Sequence, residues 1–371
     1  MIYNLEVMSS KEIFCYSIPA IRGYQASSPF YVTIFPLKYI NSLFAKAESE
    51  ISPELKAQRT LNTNRIPEMA AYIINNRDNY VFSSLTASIS EEVIFECINN
   101  QNNDIGTLKV PFDAKVLIND GQHRRAAIER AIEEDESLME ESISIVFYID
   151  KDLNRSQQMF ADLNRHAVKP AKSLGILYDH RDPLAQLCAS LIQKVDVFVG
   201  MTEKEKATLS NRENKMFTLS SIYKATGCLL GYKSGDQIKN SDQKLAVTFW
   251  NEIAKNIPDW KAAKEREIAP YVLRRDFIHT HGITLQALAN VGNELIHSKD
   301  NWKEVLNKIK KIDWSRDNAK NWHGRVIVHG KINKGSKHVI LLTNFIKNKI
   351  KLPLSDHEKE VEAAFIESNK K

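Results

Sequence analysis

Cysteine is scarce in this 371-residue sequence. Its four cysteines, Cys15, Cys97, Cys188 and Cys228, stand far apart with no CxxC pair. That spacing argues against a zinc knuckle or a disulfide framework and predicts reduced thiols in a cytoplasm. Long apolar runs are missing too; none approaches the ~18–20 residues that cross a bilayer, so no membrane partner is expected. The opening MIYNLEVMSSKEIF has no basic segment ahead of an apolar core, so no signal peptide is expected. Repeats and low-complexity tracts are absent. GxSxG, HExxH and Walker phosphate-loop patterns are also absent, which removes the commonest hydrolase and NTPase signatures. His279 and His281 lack a third and fourth ligand at sensible spacing, so no metal is expected.

Apolar residues make up 43% and charged residues 26%, the balance of a folded globular chain. The net charge is +5, unevenly spread. Between Lys303 and Lys351 stand thirteen Lys/Arg against Glu304, Asp313 and Asp317, so the rest of the chain is net acidic, with an acidic run at 133–141. A basic end of this kind suits a polyanion such as nucleic acid; a solvated basic surface is the plainer alternative.

Three regions separate along the chain. Residues 1–150 alternate strand and helix patterns. Strands are predicted over YVTIF (31–35), VFSSLTASI (81–89), VIFECI (93–98), AKVLIN (114–119) and ISIVFYI (143–149), the last buried on both sides. The polar stretch 99–107 reads as a loop. A helix from Ile66 has Asn64 as its cap and Pro67 in its first turn. Residues 151–300 read as helical over 157–164, 183–195, 219–230, 245–256 and 283–297; 219–230 is a weak recognition-helix candidate. Residues 301–371 open with the helix WKEVLNKIKKI. Two strand-like runs follow, 324–330 and 338–343, around the turn KINKGSK.

The segment Asp120-Gly121-Gln122-His123-Arg124-Arg125 joins a buried strand to a helix. A glycine there lets backbone approach a ligand, and the unpaired first N–H groups of a helix attract an anion such as phosphate. Arg124 and Arg125 could add paired donors, or could simply bond Glu129 and the acidic run. Arg59, Asn62 and Arg65 could supply further phosphate donors or cap the Ile66 helix, and Asn164 and Arg165 could do the same or close a helix. Asp120 is the weak candidate for a general base, with Glu129 one turn on. Lys331, Lys334 and Lys337 around the predicted hairpin, with Arg325, Arg274 and Arg275, form the candidate DNA contact.

DGQHR is the signature of the DGQHR-domain proteins, and four further blocks resemble the DndB family of DNA sulfur modification. They are QRTLNTNRIPEMAAYI (58–73), FADLNRHAVKP (160–170), VLRRDFIHTHGITLQALANVG (272–292) and DWSRDNAKNWHGRVIVHGKINKG (313–335). The resemblance spans roughly residues 20–355, with no match for 1–19. It implies an operon that replaces a non-bridging phosphate oxygen of DNA with sulfur, and a regulator that binds and represses the operon's promoter. It implies an N-terminal domain similar to ParB and sulfiredoxin; with the largely helical middle and the small basic α/β C-terminal region read from the residue patterns, the expected fold is α+β. In those relatives a strand–GxxR–helix element cradles nucleotide phosphates; Gly121 and Arg124 match it. Residues 58–73 resemble the first ParB box, which favours Arg59. Some relatives hydrolyse nucleotides, so ATP or CTP with Mg and an assisting hydrolase activity stand as the alternative. A homo-oligomer and contacts with other DNA sulfur modification proteins are further expectations.

Overall fold

The computed structural model describes residues 14–50, 63–99, 102–151, 155–165, 170–210, 212–298 and 301–368. The chain divides into two compact units, 1–168 and 169–371. It is a mixed α+β protein. Among the described residues no helix is long and apolar enough to cross a membrane.

Unit 1 is built on a seven-stranded sheet. The strands are β1 (Cys15–Gln25), β2 (Ser28–Pro36), β3 (Leu85–Ile89), β4 (Ile94–Asn99), β5 (Asn102–Pro111), β6 (Val116–Asp120) and β7 (Ser142–Ile149), in the order β4-β5-β1-β2-β7-β3-β6. Every neighbouring pair is antiparallel except β3 and β7. Among the described residues four helices accompany it: α1 (Ile40–Glu50), α2 (Ile66–Asn75), α3 (Gln122–Glu134) and α4 (Ser156–Arg165). One sheet face, carrying Leu85, Ala87, Ile118, Ile145 and Phe147, shares a core with Ile40 and Phe44 of α1, Ile73 of α2 and Ile128 of α3.

Several expectations need correction here. β7 is not buried on both sides: Ile143, Ile145 and Phe147 are buried, while Ser144, Val146 and Tyr148 are only half-covered. Its second face belongs to a sheet surface where Ile21 and Ile34 are more than half exposed. The stretch 99–107 is mostly strand, because β5 pairs with β1 and β4. Its outer end, near Asn103 and Asp104, faces solvent, so polar residues stand there without breaking the ladder. β1 is not among the predicted strands; Pro19 and Gly23 interrupt its apolar pattern, and Pro19 falls just before pairing with β2 begins at Ala20. Asn64 does not cap α2; the N-cap is Arg65, without a side-chain bond.

Unit 2 is largely helical. Its helices are α5 (Lys172–Tyr178), α6 (Pro183–Lys194), α7 (Leu219–Leu230), α8 (Asn240–Asn256), α9 (Pro258–Lys264), α10 (Pro270–Asp276) and α11 (Gly282–Ser298). α12 (Trp302–Leu306), α13 (Ala319–Trp322), α14 (Ser336–Ile350) and α15 (Asp356–Ser368) follow. A single apolar core runs from Ile176 to Leu352, so the basic C-terminal stretch shares it with the helices before it. α7 is a core helix, with Leu219, Ile222, Ala225 and Leu229 buried, and offers no exposed recognition face.

The predicted C-terminal hairpin is not formed as expected. After the short parallel pair β8 (Thr202–Glu203) and β9 (Phe217–Thr218), only β10 (Ile327–Val328) and β11 (Lys331–Ile332) pair here, around His329 and Gly330, both left-handed. Residues 338–343 lie inside α14. Val339, Leu342, Ile346 and Ile350 recur every three or four residues on its buried side, a period that a six-residue apolar window cannot distinguish from a strand.

Candidate phosphate and nucleic-acid sites

The DGQHR element takes the expected form of strand, glycine and helix. Gly121 ends β6 with φ +106°, and a Cβ there would stand 2.5 Å from Leu85 Cδ2, so only glycine fits. The Arg125 N–H donates to Gly121 O at 2.9 Å and closes the first turn. No side chain of the N-cap accepts from the first N–H groups of α3.

The charged side chains of this element bond to one another and to the sheet. Arg124 Nη1 donates to Ser83 O at 2.7 Å, to Ser84 O at 2.8 Å and to the Ser83 hydroxyl. Its Nη2 donates to Asp120 Oδ2 at 2.7 Å. Arg124 is therefore a strut that pins the approach to β3 onto α3. Arg125 pairs with Glu129 one turn on. Both candidate bases, Asp120 and Glu129, thus bear on arginines. Gln122 Nε2 donates to Ile118 O at 3.3 Å. Burial, with help from the nearby Arg65 charge, lowers the pKa of His123 and keeps its ring neutral near pH 7. The exposed Arg65 and the helix N-terminus are what this end presents to an anion. Arg59, Asn62, His166 and Lys169 lie outside the described residues. Asn164 and Arg165 close α4.

In unit 2 the candidate DNA residues part company. Arg325 is buried at 8% exposure and bonds Glu362 and Leu341 O. Arg274 donates to Ser210 O at 2.8 Å, to Glu213 O at 2.7 Å and to Lys215 O. Arg275 is exposed and pairs with Asp276. Lys331, Lys334 and Lys337 are exposed, in β11, the following loop and the first turn of α14. With Lys303, Lys310, Lys311, Lys320, Lys349 and Lys351 they make nine exposed lysines between Lys303 and Lys351 in no ion pair among the described residues. Lys347 differs: it is buried between Glu294 and Glu358.

His279 is a core histidine. Trp260 Nε1–H donates to its Nδ1 at 3.0 Å, which leaves Nε2–H to donate to Asp259 Oδ2 at 3.0 Å. Among the described residues no three His, Cys, Asp or Glu stand together to hold a metal.

Sequence reasoning missed one feature. Arg274, Arg275, Arg316 and Lys334 line a single cavity of about 740 Å³. They come from segments up to sixty residues apart; the only sequence signal was the run of arginines in two of the family-like blocks.

No curated protein and no solved structure matches the chain. The family model DndB, described as DNA-sulfur modification-associated, matches residues 18–353. That match takes in unit 1 from β1 onward, the DGQHR element and the basic stretch of unit 2, and by it the chain belongs to the DndB family of DNA-sulfur modification-associated proteins.

Proposed function

We propose that this protein is a DNA-binding transcriptional repressor of a DNA phosphorothioation operon. The carrying observation is the set of nine exposed lysines between Lys303 and Lys351 that form no ion pair among the described residues. Lysines so placed neutralise backbone phosphates and hold a protein on DNA without reading bases. Membership of a DNA-sulfur modification-associated family supplies the biological setting. On this reading unit 1 is a ParB/sulfiredoxin-like domain, supported by the left-handed Gly121 between strand and helix and by the GxxR spacing to Arg124. Its DGQHR end contributes phosphate contacts through the α3 N-terminus and Arg65, with Arg124 holding the element in shape. Nucleotide hydrolysis at DGQHR is the weaker reading, since Asp120 and Glu129 are both bonded to arginines.

Fluorescence anisotropy with the operon's own promoter fragment and a scrambled fragment of equal length tests the proposal. A repressor binds the promoter at least about a thousandfold more tightly at physiological salt, and its deletion raises a promoter reporter. Equal affinity for both fragments, with an unresponsive reporter, would overturn it.

A further inference from the structure

The cavity in unit 2 has two kinds of wall. Leu209, Met216, Phe217 and Tyr271 are apolar, and Tyr271 is 42% exposed. Arg274, Arg275, Arg316 and Lys334 are cationic. The bonds of Arg274 go to three backbone carbonyls. Arg316 donates to Arg275 O at 3.1 Å and Gly330 O at 2.9 Å. Among the described residues only Arg275, through Asp276, has a carboxylate in ion-pair contact. Three positive charges therefore line one concavity without such a partner, an arrangement that an anion would stabilise.

A second observation is independent of charge. Thr280 is 3% exposed, lines the same cavity, and its Oγ1 has no hydrogen-bond partner among the described residues. Buried hydroxyls are almost always bonded, so an orphan on a residue of the cavity wall indicates a missing acceptor or donor. Gly282, which opens the 17-residue α11, lies beside it; a Cβ there would stand 2.8 Å from Ser221 Oγ. His281 completes this wall. Its Nε2–H donates to Arg274 O at 2.9 Å, and burial holds its pKa down at about 4, so the ring adds no charge at neutral pH.

We propose that this cavity binds a phosphorylated small molecule of nucleotide size. Its phosphates meet Arg274, Arg316, Lys334 and the Thr280 hydroxyl, and its planar part lies against Tyr271 and the Met216 wall. The volume falls in the range of small-ligand sites, and the mixed lining matches a ligand with one charged and one apolar end. The proposal stands on unit 2 alone and does not rest on promoter binding.

Calorimetric titration of the full chain with ATP, CTP and inorganic phosphate, alongside a short DNA duplex, tests it. The expected result is saturable nucleotide binding, weaker phosphate binding, and a loss of about tenfold or more in Thr280→Val. Because the Thr280 hydroxyl has no partner to lose, the variant's melting temperature stays at the parental value. Lys334→Gln weakens the same ligand. Absence of nucleotide binding at millimolar concentration overturns the proposal, and so does parental affinity in both variants. Duplex binding lost in Thr280→Val without any nucleotide binding would also overturn it, by giving the cavity to a DNA phosphate. Failed promoter discrimination with intact nucleotide binding would defeat only the repressor reading.

Discussion

Arg325→Ala separates a structural arginine from a DNA contact. In the folded chain Arg325 Nη1 donates to Leu341 O at 2.7 Å and to Glu362 Oε2 at 2.9 Å, and Nη2 donates to Glu362 Oε1. The guanidinium lies 4.5 Å from the Phe365 ring centroid, and Glu362 also accepts from Asn344. Burial works to raise the Glu362 pKa, but the bonds from Arg325 outweigh it and hold the carboxyl below its ordinary value. Removing the guanidinium leaves a buried carboxylate without its partner and frees Leu341 O. Breaking such a pair costs about 3–5 kcal/mol. For a unit of this size that lowers the melting transition by roughly 10 °C. Urea unfolding reads the loss as a reduced midpoint with an unchanged slope. Arg325→Met combined with Glu362→Leu recovers most of it, because the uncompensated charge is gone. Well below the melting point, Arg325→Ala leaves the salt dependence of DNA binding as in the parent. A variant that melts like the parent, yet binds DNA with a salt slope smaller by about one, would refute the burial argument.

Three further outcomes follow from the same geometry. Arg124→Ala lowers the stability of unit 1 by about 2–4 kcal/mol in urea unfolding, because the Ser83–Ser84 carbonyls and Asp120 lose a charged donor. Gly121→Ala destabilises by about 1–3 kcal/mol through its left-handed backbone and the Leu85 contact; parental midpoints in both variants would show the element to be slack. Burial holds His281 at about 4, below its ordinary 6.5, and burial also lowers His279. The unfolded chain therefore binds these protons first, so the stability is complete above pH 6.5 and is lost as pH falls toward 4, by about 3 kcal/mol for His281. Urea midpoints measured from pH 7.5 to 4.5 show that decline, and a flat profile would contradict it.

Local patterns carried part of this structure. The β6–Gly121–α3 passage was readable because a short apolar strand, a DG turn and a helical period follow one another directly. The helices at 183–195, 219–230, 245–256 and 283–297 were readable from apolar spacing, as their buried faces run for three turns or more, while the seven-residue α9 and α10 between them were not. What escaped depends on distant partners. Arg124 looked like a free phosphate donor because Ser83 lies 41 residues away in sequence. Arg325 looked like a DNA contact because Glu362 lies 37 residues away. The HVILLT run resembled a strand because its helical period shows only when Ile346 and Ile350 are included. The cavity was invisible for the same reason: Thr280, Arg316 and Lys334 converge only after folding.

The exposed lysines at the surface of the basic stretch are the centre of the functional account, and a salt series tests their role most directly. Affinity for the promoter fragment is measured from low to physiological salt, for the parent and for a chain with Lys331, Lys334 and Lys337 all replaced by Ala. Each lysine that neutralises a phosphate releases about 0.9 counterion. The slope of log affinity against log salt should therefore fall by roughly 2–3, with promoter preference over scrambled DNA nearly unchanged. An unchanged slope would contradict the account and remove this surface from the DNA site.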